Sequence, residues 1–176
     1  MSFSNITGHE FQKEFLIKSI EKGRVASSYL FYGLEGIGKR LIALEFAKLL
    51  NCNRLGERTK DKFSGLCDCA SCLKIESSNH PDVTVVKPQD SSEIKVQQIR
   101  EQIEDLIYLK PYEGRYKISI IDDAESMNIN AQNAFLKTLE EPPADAVIIL
   151  VSSKPQFLLK TIISRCQNLE FFRLSN

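Results

Sequence analysis

The 176-residue sequence carries no excess of either charge: 23 Lys and Arg stand against 23 Asp and Glu. A polybasic nucleic-acid binder shows a large positive excess, so that class is excluded for this chain acting alone. No apolar run reaches the ~18–20 residues that span a bilayer. The opening stretch, MSFSNITGHEFQKEF, has no basic start followed by an apolar segment. No signal peptide is therefore expected, and a cytoplasmic location is. Internal repeats and low-complexity tracts are also missing.

What remains fits a globular domain. Hydrophobic residues make up 43% and charged residues 26%, which excludes disorder throughout. A chain of this length should bury ~70% of its unfolded surface. The expectation is one domain, residues 1–176, with a small insertion. The neutral sum hides an asymmetry. Residues 111–150 hold seven acidic and three basic side chains, whereas 151–176 hold one acidic and four basic.

Helix and strand patterns alternate along the chain. Residues 9–22 place Phe11, Phe15, Ile17 and Ile20 at near-helical spacing. Residues 28–32 (SYLFY) read as a buried strand and 39–50 (KRLIALEFAKLL) as a strong helix. Further strands are expected at 82–86, 116–121, 146–151 and 169–172. Further helices are expected at 93–109, 130–140 and 155–163. Residues 51–80 are polar, Cys-rich and weakly periodic, which marks the insertion. Five strands joined through helices imply right-handed crossovers and a mostly parallel sheet. Unbroken apolar strands such as AVIILV fit burial on both faces, hence a three-layer α/β fold.

Between the first strand and the second helix runs Gly33-Leu-Glu-Gly36-Ile-Gly38-Lys39-Arg40. It fits GxxxxGK, followed by Arg40 where Ser or Thr is the rule. Glycines let backbone N–H groups converge on a phosphate, and the helix N-terminus adds a positive dipole end. Lys39 would reach the β- and γ-phosphates. The usual hydroxyl ligates Mg²⁺; a guanidinium has no acceptor, so Arg40 cannot. ATP is the expected ligand class, with its Mg²⁺ poorly held.

The strand at 116–121 runs into Asp122 and Asp123. In phosphate-loop NTPases such a strand-end Asp supports Mg²⁺ and the next carboxylate orients water. Asp123 is one methylene shorter than the usual Glu. An offset of about 1 Å can cost ~100-fold in rate. The same acids could instead cap the following turn; the loop upstream favours the nucleotide side.

Cysteine is concentrated. Cys52, Cys67, Cys69 and Cys72 cluster, and Cys166 stands apart. In a reducing compartment such clustering points to metal. Four thiolates close a tetrahedral structural Zn²⁺ site with no open position for catalysis. The polar insertion would draw its folding energy from the metal. His80 is a substitute ligand, or a structural residue.

Longer segments then carry a family resemblance. Asn133-Ala-Phe-Leu-Lys-Thr-Leu-Glu-Glu-Pro-Pro143 resembles the NALLKTLEEPP segment of the AAA+ clamp-loader domains of bacterial DNA polymerase III. Thr161-Ile-Ile-Ser-Arg165-Cys166 resembles their TILSRC, and Ser27-Ser-Tyr-Leu-Phe31 their HAYLF strand. Gly38-Lys39-Arg40, the run from Asp122 to Asn128 (DDAESMN) and Asn79-His80-Pro81-Asp82 resemble the delta-prime branch. The gamma/tau motor branch has GKT and DEVH or DEAH. The resemblance covers essentially the whole chain.

The resemblance implies a three-layer P-loop/AAA+ domain with a zinc-binding insertion at 51–80. Family chains continue into a helical lid and a collar, so an excised N-terminal domain lacking both is expected. It implies a subunit that helps load the sliding clamp onto primer-template DNA. Its partners would be the gamma/tau and delta subunits. Arg165 would be an arginine finger for a neighbour's nucleotide, with the chain's own hydrolysis lost. Without the resemblance Arg165 reads as a surface arginine; the Ser164-Arg165-Cys166 context favours the finger. The family's zinc pattern is LNC followed by CxxCxxC. Here Leu50-Asn51-Cys52 matches, but Cys67-Asp-Cys69-Ala-Ser-Cys72 is one spacer shorter, a tighter chelate.

Overall fold

The computed structural model describes Phe3 and residues 6–55, 67–89 and 92–173. Five parallel strands form one sheet: β1 (Ser28–Gly33), β2 (Val83–Val86), β3 (Lys117–Ile121), β4 (Ala146–Ser152) and β5 (Gln167–Phe171). Their order is β2-β3-β4-β1-β5. Every pairing is parallel; Phe31, for example, lies between Val151 and Leu169.

Alternation along each strand feeds two cores. Tyr29, Phe31, Val147, Ile149 and Val151 point into one, with α1 (Glu10–Glu21) and α2 (Lys39–Leu50). Leu30, Ile148 and Leu150 point into the other. There they meet α4 (Val96–Ile99), α5 (Asp105–Ile107), α6 (Ile129–Glu140) and α7 (Lys160–Ile163). Burial on both faces explains why β4 reads as a continuous apolar run rather than an alternating one. The expected three-layer α/β arrangement is the one observed.

Three expected elements differ, the helix expected at 155–163 being a 3₁₀ turn, Pro155–Phe157, followed after a break by α7. The buried side chains of α1 are Gln12, Lys13, Leu16 and Ser19, and Phe11 is 72% exposed. Phe15, Ile17 and Ile20 pack against the core as expected and Phe11 does not; polar groups take the most buried positions and tie the chain together. The Lys13 ammonium donates to the Phe3 and Ile6 carbonyls at 3.2 and 2.8 Å, and the Gln12 amide donates to the Glu170 carbonyl of β5.

The helix expected at 93–109 starts at Val96, ends at Ile107 and passes through a π-helical turn, Arg100–Glu104. Ile99, Ile103 and Ile107 are all buried. At 3.6 residues per turn, each four-residue step overshoots by about 40°; one wider turn keeps the three in line. The Cys-rich insertion also contains a helix, α3 (Ala70–Glu76), that its weak periodicity did not announce. Residues 56–66 of the insertion lie outside the described residues.

Candidate functional site: a phosphate loop, a strand-end acid pair and an outlying arginine

β1 delivers the loop at its carboxyl end. Gly33, Gly36 and Gly38 have φ of 145°, 75° and 95°, a region that L side chains rarely adopt. At Gly33 a Cβ would also lie 2.2 Å from the Phe171 carbonyl oxygen. Only glycine lets β5 pass this close. Gly38 then starts α2. Lys39 is buried, and its ammonium donates to the carbonyls of Gly33, at 2.8 Å, and Leu34. Burial lowers its pKa, while the carboxylates of Glu125, Asp122, Asp123 and Glu35 push it back up. His9 braces the loop from outside. Its Nε2 lies 2.8 Å from the Ile37 carbonyl, and its ring meets Phe171 edge-on.

β3 delivers the acids. Asp122 is anchored by its N–H, which donates to the Val86 carbonyl of β2. Arg40 turns toward it, and Arg40 Nε lies 3.4 Å from Asp122 Oδ2. Arg40 and Asp122 stand at the two sequence positions that hold Mg²⁺ in phosphate-loop NTPases. Here one is a fixed cation and the other its counter-ion.

Asp123 takes a left-handed backbone (φ 52°, ψ 50°) at the start of a short 3₁₀ turn, Ala124–Ser126, and makes no side-chain capping bond. Its carboxyl is raised above its ordinary value by partial desolvation and then by Asp122, Glu125 and Glu35. The acids therefore do not serve as turn caps through Asp123. Glu35, Gly36, Gly38, Lys39, Arg40, Asp122, Asp123 and Ser153 line one cleft of about 260 Å³. Two roomier grooves, about 460 and 400 Å³, are lined by neither the loop glycines nor the strand-end acids.

Sequence reasoning missed Glu125 and Ser153. Glu125 Oε1 accepts the Ser153 backbone N–H at 3.0 Å and its hydroxyl at 2.6 Å. Burial raises the Glu125 pKa, but hydrogen bonds from Ser153 and Ser152 outweigh it and the net shift is downward. This bond ties the end of β4 to the end of β3 beside the cleft. A lone Glu three residues past Asp122 carries no local pattern that announces it.

Arg165 lies outside the cleft, in the turn between α7 and β5. Its neighbours explain the Ser-Arg-Cys run. Ser164 Oγ donates to the Thr161 carbonyl at 3.1 Å, satisfying a helix-end acceptor. Cys166 is buried among Leu158, Ile162 and Leu139, and burial pushes its thiol up to about 12. Between them Arg165 faces outward. It donates from Nη1 to the Thr161 carbonyl at 2.9 Å and from Nη2 to Glu140 Oε1 at 2.6 Å. Glu140 is the first acid of the Leu-Glu-Glu-Pro-Pro run.

Four cysteines meet at the far end of α2. The sulfurs of Cys52, Cys67, Cys69 and Cys72 all lie within 4.8 Å of one another. Cys52 is 3.6 Å from Cys67 and 3.9 Å from Cys69. Tetrahedral Zn–S bonds of ~2.3 Å imply S···S separations near ~3.8 Å. The short Cys67–Cys69 spacing is accommodated because Cys69 sits at the N-cap of α3 and Cys72 in its first turn. Such a donor set could hold a metal ion. The crowding is felt unevenly: hydrogen bonding to Cys52 and burial push the Cys72 thiol well above its ordinary value, whereas at Cys69 burial is outweighed by hydrogen bonds and the net shift is downward. A cation removes the penalty at Cys72.

His80 is used elsewhere. Its Nδ1 accepts the Asp82 N–H at 3.1 Å and its Nε2 pairs with Ser71 Oγ at 3.1 Å. Ser71 in turn donates to the Asn51 carbonyl. Asn51 Oδ1 accepts from the N–H groups of Arg115 and Tyr116. Asp82, fully buried, accepts from the N–H groups of Tyr112, Glu113 and Gly114 and from Lys117 Nζ. These residues lock the cysteine module to the strand that carries Asp122.

A family model described as DNA polymerase III, delta subunit, matches residues 8–175. DNA polymerase III subunit delta' of Bacillus subtilis (strain 168) is 41% identical over 158 residues, covering 90% of this chain and 46% of that one. Subunit tau of Salmonella typhimurium (strain LT2) is 36% identical over 165 residues, covering 94% of this chain and 24% of that one. The chain thus spans less than half the length of these curated relatives. Among solved structures, a DNA polymerase III gamma subunit-related protein of Thermotoga maritima superposes with a TM-score of 0.65 at 28% identity. It covers 91% of this chain and 45% of that one.

Proposed function

The chain belongs to the DNA polymerase III delta-subunit family, and from that premise we propose that it is a clamp-loader subunit whose own ATP hydrolysis is lost. Its place is in the ring that opens the sliding clamp and sets it on primer-template DNA. Its partners there are gamma/tau and delta subunits. It acts in the cytoplasm; among the described residues no helix is long and apolar enough to cross a membrane. Its contribution to the reaction is Arg165, offered to the nucleotide of the adjacent subunit. A cation at the transferred phosphoryl group is worth ~10³–10⁵ in other NTPases.

The Arg40–Asp122 pair carries this reading. A phosphate loop hydrolyses its nucleotide when Mg²⁺ bridges the β- and γ-phosphates. With a guanidinium in place of the hydroxyl ligand and the acid already paired, the cleft is suited to hold phosphate oxygens on Gly36, Gly38 and Lys39 without a metal. Bound Mg²⁺ would supply charge neutralisation, but the residues present do not fit it, since Arg40 adds positive charge beside Asp122. Asp123, one methylene shorter than the usual Glu, lacks the reach for orienting water. Hydrolysis is therefore not routed through this cleft.

The four-cysteine cluster fits a structural Zn²⁺. Cys52, Cys67, Cys69 and Cys72 would all be ligands, and the metal would fix the insertion against α2. Four thiolates would leave no open coordination position, so its role is scaffolding.

The competing reading is a gamma/tau-type motor subunit. The 36% identity to subunit tau and the intact Lys39 favour it; Arg40 and Asp123 oppose it. ATP turnover by the purified protein separates the two. The expected result is no Mg²⁺-dependent turnover above background. Mg²⁺-dependent turnover in the common range of ~1–10³ s⁻¹ would establish the motor reading instead.

A further inference from the structure

The two ends of the α6–α7 unit meet at one ion pair, Arg165 with Glu140, 2.6 Å apart. We infer that Glu140 is a positioning residue that aims the Arg165 guanidinium at its target; this rests on the reading of Arg165 as a finger.

A long, flexible side chain presented from a turn has many conformations, and a trans-acting group must arrive in one of them. Arg165 is pinned at two points drawn from different elements. Thr161 supplies a backbone carbonyl from α7, and Glu140 supplies a carboxylate from the last residue of α6. Those bonds use two of the five guanidinium N–H donors. Three remain for an incoming anion, and the side chain is still one-third exposed.

The platform under the pair is rigid. Gln132, buried in α6, donates from Nε2 to the carbonyls of Met127 at 2.9 Å and Phe157 at 3.1 Å. Its Oε1 accepts the Leu159 N–H at 2.7 Å. One side chain thus joins α6 to the segment that begins α7. The Asn128 side chain caps α6 at its other end by accepting the Ala131 N–H. Glu140 itself sits where a carboxylate is otherwise disfavoured, at the negative end of a helix dipole. Arg165 is the cation that makes the position favourable, and the carboxylate in return fixes the cation.

The test is steady-state ATP hydrolysis by the reconstituted, DNA-stimulated clamp loader. The subunit carries Arg165→Ala, Glu140→Ala, Glu140→Gln or both alanines. Arg165→Ala should lower kcat at least tenfold. Glu140→Ala should lower kcat three- to tenfold with the KM for ATP and assembly of the complex unchanged. Glu140→Gln, which keeps an acceptor at the same place, should recover to within twofold of the wild type. The double variant should be no worse than Arg165→Ala alone.

Loss in Arg165→Ala with full activity in Glu140→Ala would overturn the positioning role and leave the finger standing. A double variant worse than Arg165→Ala by the full Glu140 factor would overturn it too, because Glu140 would then act elsewhere. A faster Glu140→Ala complex would make Glu140 a restraint, not a guide. An unchanged Arg165→Ala complex would overturn the finger itself and this inference with it.

Discussion

Arg40 and Asp122 face each other across the mouth of the phosphate loop, Nε to Oδ2 at 3.4 Å. Arg40 stands in the first turn of α2 and Asp122 just past the end of β3, each where a metal ligand belongs. Restoring the hydroxyl ligand should reverse the arrangement. The Arg40→Thr variant is expected to bind ATP at least ~10-fold more tightly with Mg²⁺ than without it, a difference of about 1.4 kcal/mol. Isothermal titration with and without EDTA checks this.

Gly33 is constrained twice, by its φ of 145° and by the Phe171 carbonyl 2.2 Å from a notional Cβ. Both obstacles are backbone, so no side chain can swing aside. Gly33→Ala is expected to destabilise the fold by at least about 2 kcal/mol. Chemical denaturation reads this as a lower midpoint with little change in slope.

Asp82 should be the main acid-sensitive anchor. Burial alone would raise its pKa, but three backbone N–H groups and Lys117 outweigh that and bring it down to about 2. Its folded pKa is below the unfolded value of ~3.9. The stability it contributes is therefore complete above the unfolded value and is lost as pH falls toward the folded one. The difference is worth about 2 kcal/mol. Asp82→Asn should cost about 3 kcal/mol at pH 7. It should also flatten the pH dependence of the melting temperature between about pH 5 and pH 2, as followed by circular dichroism.

The metal prediction concerns Cys69. With its sulfur inside the cluster, Cys69→Ser should reduce zinc after dialysis well below one ion per chain. Metal analysis reads the stoichiometry. Chelator treatment of the wild type should lower the melting temperature by more than about 5 °C, as expected for loss of a folding-coupled metal. A variant with full zinc would remove Cys69 from the ligand set.

Much of the fold was legible because the strands are buried on both faces. Apolar runs such as 146–151 have one reading, and helices between them force parallel order. The glycine loop was legible because its spacing has a mechanical cause. The misread parts share a different origin. Gln12 and Lys13 are buried by bonds to carbonyls outside their helix, not by hydrophobicity, so apolar periodicity does not announce them and wrongly includes Phe11. The π-helical turn rests on packing of Ile99, Ile103 and Ile107 and leaves no local sign. Glu125, Ser153 and Gln132 act through partners 25 to 28 residues away. The short Cys67–Cys69 spacing looked tight on paper, and its geometry depends on where α3 begins. Glu140 lies within a segment that carries the family resemblance, but its pairing with Arg165 exists only in three dimensions.

The central claim is that a protein cation replaces the metal in this cleft. Nucleotide affinity of the unmodified protein, measured with and without Mg²⁺, tests it most directly. The account predicts dissociation constants equal to within about twofold, since Arg40 has taken the metal's position beside Asp122. An ATP affinity raised tenfold or more by Mg²⁺ would contradict it.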